Sequence, residues 1–135
     1  MEIKAFRKIL IANRGEIAIR VIRAVNELDL RSVAVYSKED KVALFRSKAD
    51  ESYMLDPEKT PVGAYLDIYK IIEIAKARRA TAIHPGYGFL AENPEFVRAC
   101  EQEDITFIGP PADVMEIFGD KVAAKKLAQK VGIPT

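Results

Sequence analysis

The sequence predicts a doubly wound α/β domain, a parallel sheet with helices on both faces. Two observations carry this. Short apolar runs alternate with helix-period segments along the whole chain, and turn-forming residues follow the apolar runs. The 135 residues suit one domain and bury enough surface to fold without disulfides or metal. Apolar residues make up 49% and charged residues 30%, an ordinary globular balance.

The elements follow in order. Residues 8–12 read as a buried strand cored by Ile9, Leu10 and Ile11. Asn13, Arg14 and Gly15 make a turn, and residues 16–28 read as a helix with Ile17, Val21, Val25 and Leu28 on one face. Residues 32–36 are the next strand, and residues 37–40 a polar break. A short helix over 42–49 and a short, weaker strand over 52–55 precede a loop marked by Pro57 and Pro61. Residues 66–79 read as a helix with Ile68, Ile71, Ile72 and Ala75 on its apolar face. A strand over 81–84 opens into a Gly- and Pro-rich loop over 84–90. Asn93 is an N-cap with Pro94 at the first helical position, and that helix runs to about Glu103. A last strand covers 106–108, and helices cover 112–118 and 120–131, the second capped by Asp120. Gly132 fits a helix end and Ile133 the start of a further extended segment, so a longer natural protein is expected.

Composition and patterning exclude several classes. Lys and Arg number 21 against 20 Asp and Glu, for a formal charge of +1. That balance argues against a dedicated nucleic-acid binder and against an acidic disordered tail. No apolar run approaches the ~18 residues of a membrane span. The charged start, Met1 to Lys8, is followed only by the short apolar run 9–12, so no secretory signal is expected and the cytoplasm is the default location. The single cysteine, Cys100, lies on a helical pattern and reads as a small packed residue. One Cys and one His, His84, make no zinc set, and no metal site is expected.

In open α/β sheets, ligands lie beyond the carboxyl ends of the strands. Three such places hold chemistry-bearing residues. The first is Asn13-Arg14-Gly15-Glu16. One glycine does not make the spaced triplet that brings backbone against a dinucleotide pyrophosphate, so NAD binding is not expected. Either the segment is a tight turn with an ionic network, or Asn13 and Arg14 donate hydrogen bonds across a domain junction. The second is the run His84-Pro85-Gly86-Tyr87-Gly88-Phe89-Leu90-Ala91-Glu92-Asn93. Gly86 and Gly88 permit positive φ and close backbone approach to a ligand, and Tyr87 between them offers a ring face and a hydroxyl. His84 reads better as a structural histidine at a strand end than as a general base. The third is Gly119-Asp120-Lys121. A lysine in the first turn of a helix opposes the helix dipole unless an anion such as phosphate meets it. The plainer alternative for Lys121 is a solvated surface lysine. No Walker-type phosphate loop is present.

Four segments in this order, Ile11 to Ala18, His84 to Asn93, Phe107 to Pro110 and Gly119 to Lys121, resemble the N-terminal domain of biotin carboxylase, as found in biotin-dependent carboxylases. The resemblance covers essentially the whole chain. The looser stretches 36–41, 46–53 and 61–67 are most similar to the pyruvate carboxylase branch. The resemblance implies a Rossmann-like fold, the pre-ATP-grasp domain, over residues 1–118, and the start of a connection to an ATP-grasp domain over 119–135. It implies a parent enzyme, a ligase, that uses MgATP to activate bicarbonate as carboxyphosphate and carboxylates N1 of biotin on a carrier domain. It implies that Lys121 contacts ATP phosphate, that Tyr87 and Gly88 lie beside the biotin ureido ring, and that His84, Gly86, Glu92 and Asn93 support that loop. Arg23 and Glu27 are the natural candidates for the family's homodimer contact. The implied partners are the ATP-grasp remainder of the same chain, a biotin carboxyl carrier domain, and a carboxyltransferase domain or subunit. Ala91 stands where the family often has Ser, with little effect expected.

The family's glycine-rich lid, magnesium carboxylates and catalytic base all lie beyond residue 135. Phosphoryl transfer depends on metal and positive charge placed around the phosphates. One lysine does not supply that, so no catalytic residue is expected within these 135 and the piece alone should be inactive. The alternative is a stand-alone binding or interaction module with the same fold. A phosphoacceptor receiver domain shares the architecture but needs an acidic cluster after its first strand, where Ala12, Asn13 and Arg14 stand instead.

Overall fold

A computed structural model describes residues 6–117. Five parallel strands form one sheet: β1 (Lys8–Ile11), β2 (Arg31–Tyr36), β3 (Glu51–Met54), β4 (Ala82–His84) and β5 (Thr106–Phe107). Their spatial order is β3-β2-β1-β4-β5. The chain moves outward from β1 through β2 to β3, then returns to lay β4 on the other side of β1. The order therefore reverses between β1 and β4, paired with Ile11 opposite His84. A crevice opens at such a reversal, beyond the carboxyl ends of the two strands.

Strand pleating sends alternate residues to opposite faces. Leu10, Val33, Val35, Ile83 and Phe107 enter one large core with α3 (Pro61–Tyr65), α4 (Ile68–Ala77) and α5 (Pro94–Gln102). Ile71, Ala75, Phe96 and Cys100 there are fully buried. Phe96 and Phe107 meet edge to face with ring centroids 5.9 Å apart. The opposite face carries Ile9, Ile11, Ala34, Tyr36 and Ala82 against α1 (Gly15–Glu27) and α2 (Leu44–Lys48), in two smaller clusters.

The all-parallel sheet and its five strands follow the sequence expectation, with ends shifted by a residue. Two helices differ from it. The helix expected over 66–79 begins instead at Ile68, because the Asp67 carboxylate accepts the Lys70 N–H at 3.1 Å and caps it there. Leu66, expected inside the helix, is exposed between two helices. The preceding turn is the separate helix α3, started by Pro61 and capped by Thr60, whose hydroxyl accepts the Gly63 N–H at 3.0 Å. In α1 the buried residues are Ala18, Ile22 and Val25; of the expected Ile17, Val21, Val25 and Leu28, Val25 alone is buried. Small Ala18 lets the helix sit close on the sheet, which turns Ile17 and Val21 to its flank and leaves Leu28 69% exposed. The polar break at 37–40 is a single 3₁₀ turn over Lys38–Asp40, with Asp40 buried. The Asn93 cap stands as expected, accepting the Phe96 N–H at 3.1 Å, with Pro94 following. A helical turn covers 112–117. The expected helix over 120–131, with Asp120 and Lys121, lies outside the described residues.

Candidate functional site at the strand reversal

The site is built where β1 and β4 end side by side. The Ala12 N–H donates to the His84 carbonyl at 2.9 Å, which continues the ladder one step beyond β1. Asn13 follows and is 1% exposed. Its carboxamide nitrogen donates to the Pro85 carbonyl at 2.8 Å and to the Tyr87 carbonyl at 2.7 Å. Its oxygen accepts the Arg14 N–H at 2.8 Å. Both amide hydrogens and the carbonyl oxygen are thus engaged. The reverse amide orientation would set oxygen against two carbonyls, so this network determines it.

Gly86 lies between the two clamped carbonyls with φ +66°. A Cβ there would fall 2.7 Å from both the Asn13 amide nitrogen and Ile17 Cγ2. Only glycine meets both demands. Gly88 has φ +74°, yet a Cβ on it would meet nothing within 4 Å. The space over Gly88 is open. Tyr87 between them is 80% exposed. The Gly86 N–H donates to His84 Nδ1 at 3.0 Å. In the neutral ring that leaves the proton on Nε2. Burial lowers the His84 pKa, which favours this neutral form.

His84, Gly86 and Tyr87 reach a groove of about 780 Å³ along α1, beside Glu16, Ile17, Arg20 and Val21. The structure therefore brings together His84, Gly86, Tyr87 and Gly88. Asn93 closes the same loop from its far end, and the Ala91 N–H donates to the Gly88 carbonyl at 2.9 Å. Glu92 is exposed and makes no hydrogen bond or ion pair among the described residues. Arg23 and Glu27 sit apart, exposed on the outer side of α1 beside Asn26 and Lys48. Lys121 lies outside the described residues. Among the described residues no group of three or more His, Cys, Asp or Glu could hold a metal ion, and no helix is long and apolar enough to cross a membrane.

Of the two sequence readings at Asn13 and Arg14, the structure shows the turn with an ionic network. Both side chains bond within the domain. Arg14 turns away from Asn13 and binds Asp40 through two nitrogens, at 2.7 and 2.8 Å. The Tyr65 hydroxyl donates to the same carboxylate at 2.6 Å and accepts the Ser37 N–H at 3.0 Å. Hydrogen bonding to Arg14 holds the Asp40 carboxyl below its usual range, outweighing burial, and Tyr65 adds to this. Burial, then the bond to Asp40, pushes Tyr65 up to about 12. Sequence reading missed Asp40 and Tyr65. Asp40 sat in a stretch read only as a polar break, and Tyr65 reaches it from 25 residues away.

A parallel sheet whose order reverses at β1 and β4, with helices on both faces, defines an α/β domain of the doubly wound class. Residues 5–115 match the family described as biotin carboxylase, N-terminal domain, and the chain belongs to that family. It is 56% identical over 134 residues to a pyruvate carboxylase of Bacillus subtilis, covering 99% of this chain and 12% of that one. The structure of a complete multifunctional pyruvate carboxylase from Rhizobium etli superposes with a TM-score of 0.86 at 53% identity, covering 98% of this chain and 14% of that one. The biotin carboxylase domain dimer of Hydrogenobacter thermophilus 2-oxoglutarate carboxylase, in complex with MgADP, ADP and bicarbonate, gives 0.85 at 48% identity. That match covers 98% of this chain and 29% of the other. The chain thus spans less than a third of each of these relatives.

Proposed function

We propose that this chain is the N-terminal part of a biotin carboxylase, and that the whole enzyme uses MgATP and bicarbonate to carboxylate biotin on a carrier domain. The observation that carries the reading is the clamped Tyr87–Gly88 loop at the strand reversal, in a chain of this family. In the overall chemistry the γ-phosphoryl group of ATP passes to bicarbonate with release of ADP, and the carboxyl group then replaces the proton on N1 of biotin as phosphate leaves. In this reading Tyr87 and Gly88 lie against the ureido ring, and Lys121 neutralises charge on ATP phosphate. His84 holds the Gly86 N–H, Asn93 fixes the start of α5, and Glu92 lies at the loop's outer edge. Arg23 and Glu27 meet the second copy in a homodimer. The ATP-grasp remainder, the carrier domain and a carboxyltransferase domain or subunit complete the machine, which works in the cytoplasm, where ATP and bicarbonate are at hand. The carboxyl acceptor is pyruvate by similarity to the two pyruvate carboxylases above, with acyl-CoA the other class.

On this division of labour residues 1–118 form the domain and 119–135 begin the connection onward. The piece alone does not catalyse, because the metal and the charge that surround the phosphates come from elsewhere in the enzyme. The test is ADP release dependent on both bicarbonate and biotin, with this chain run beside the full-length enzyme. Activity in the full-length enzyme alone supports the reading. Activity in neither points to a binding module, and activity in these 135 residues overturns the division of labour. In the full-length enzyme Lys121→Ala should raise the ATP requirement, and an unchanged ATP dependence would count against its assigned role.

A further inference from the structure

We propose that Asn13 is a positioning residue for biotin: its carboxamide sets the direction of the Tyr87–Gly88 peptide at the biotin-facing loop. The proposal rests on the biotin carboxylase reading above and goes past it, to a residue that touches no substrate.

The geometry is as follows. One amide nitrogen binds two carbonyl oxygens, of Pro85 and Tyr87, on either side of Gly86. The third contact, from the Arg14 N–H to the Asn13 oxygen, prevents the amide from turning over. The side chain is 1% exposed, so water does not compete for these bonds. In a trans peptide the N–H points opposite to the C=O, and the described residues contain no cis bond. Drawing the Tyr87 carbonyl toward Asn13 therefore turns the Gly88 N–H the other way. No group among the described residues accepts from that N–H. On the same residue, a Cβ on Gly88 would meet only open space. Asn13 thus presents one backbone donor at fixed aim to a ligand beside Tyr87. Without the carboxamide, the two carbonyls lose their shared donor, and the peptide is free to turn.

The residue type is specific to this job. Aspartate has the same shape but offers no donor when ionised, and it sets a negative charge against two carbonyl oxygens. Alanine leaves both carbonyls unpaired. A Cβ at residue 86 attacks the same contact from the opposite side, since it would fall 2.7 Å from the Asn13 nitrogen.

The experiment uses the full-length enzyme and free biotin, with KM for biotin and KM for ATP measured separately. Asn13→Ala and Gly86→Ala should each raise KM for biotin about tenfold, the size of two lost hydrogen bonds. KM for ATP should stay within about twofold. Lys121→Ala should give the opposite split. A folded Asn13→Ala enzyme with unchanged KM for biotin overturns the proposal, and so does a variant in which both constants rise together. Hydrogen exchange over residues 85–90 is read in the same proteins and needs no activity. Asn13→Ala should exchange there about tenfold faster than wild type, and unchanged exchange also overturns the clamp. If wild type releases no ADP in response to biotin, the functional reading fails, and the exchange result alone decides the clamp. Should Asn13→Ala fail to fold, Gly86→Ala carries the same two readouts.

Discussion

The two faces of the sheet are built differently. The face under α4 and α5 is one continuous core in which Ile71, Ala75, Phe96 and Cys100 pack on the strands. The face under α1 is split into two small clusters, and its flank opens into a groove lined by Phe6, Val21, Leu28, Leu30 and Ile108. The first face holds the domain together. The second gives up continuous packing, and polar links at the strand ends take over. Stability should therefore be concentrated on one side of the sheet, while His84, Gly86 and Tyr87 line the groove on the other.

This contrast makes graded predictions. Phe96→Ala on the closed face removes a fully buried ring and should cost about 3–5 kcal/mol in urea unfolding. A loss under about 1 kcal/mol there would refute the idea of a single load-carrying core. Asp40→Ala at the strand ends leaves Tyr65 and half-exposed Arg14 without their shared acceptor. It should cost about 2 kcal/mol, less than a fully buried pair because Arg14 retains water. Tyr65→Phe removes one donor and one acceptor and should cost about 1–2 kcal/mol. Leu28→Ser on the open flank should change stability by no more than about 0.5 kcal/mol. A larger loss would mean that the flank is packed in solution.

Acid separates the links further. Asp40 and Glu51 both titrate below the ordinary carboxylate range. Burial pushes Glu51 up, but bonds from Lys8, Tyr53 and Arg31 outweigh it and bring it to about 2. A depressed folded pKa gives stability that is complete above the unfolded value and lost as pH falls through the folded one. The domain should thus weaken from about pH 4.5 down to about 2. Asp40→Asn should flatten the Asp40 share of that slope, and an unaltered slope would show that the Arg14 pair adds nothing to folding.

Much of the fold was legible in the chain because the strands carry their own signal. Ile9, Leu10 and Ile11 form an apolar run too short for a helix, and such runs recur between helical periods. The α1 face was misread because hydrophobic weight favours Ile17 and Leu28. Close packing on a sheet favours Ala18, which carries little such weight. The start of α4 was misread because Leu66 is apolar and yet exposed, while the signal that counts is the Asp67 cap. At the site, the glycines and Tyr87 stood out because few residue types tolerate positive φ. Asn13 stood out only as a polar residue after a strand. Its partners are backbone carbonyls, which leave no trace in side-chain identity, and they lie 72 and 74 residues away.

That separation bears on how the domain is made. During synthesis at about 5–20 residues per second, Asn13 emerges about 4–15 s before the carbonyls it binds. Strands β1 to β3 and their helices are neighbours in the chain and can pair while β4 is still unmade. The loop of Gly86, Tyr87 and Gly88 closes only when β4 arrives against β1. A nascent chain cut off before residue 82 therefore holds Asn13 with nothing to grip, and the clamp can form while α5 and β5 are still unmade.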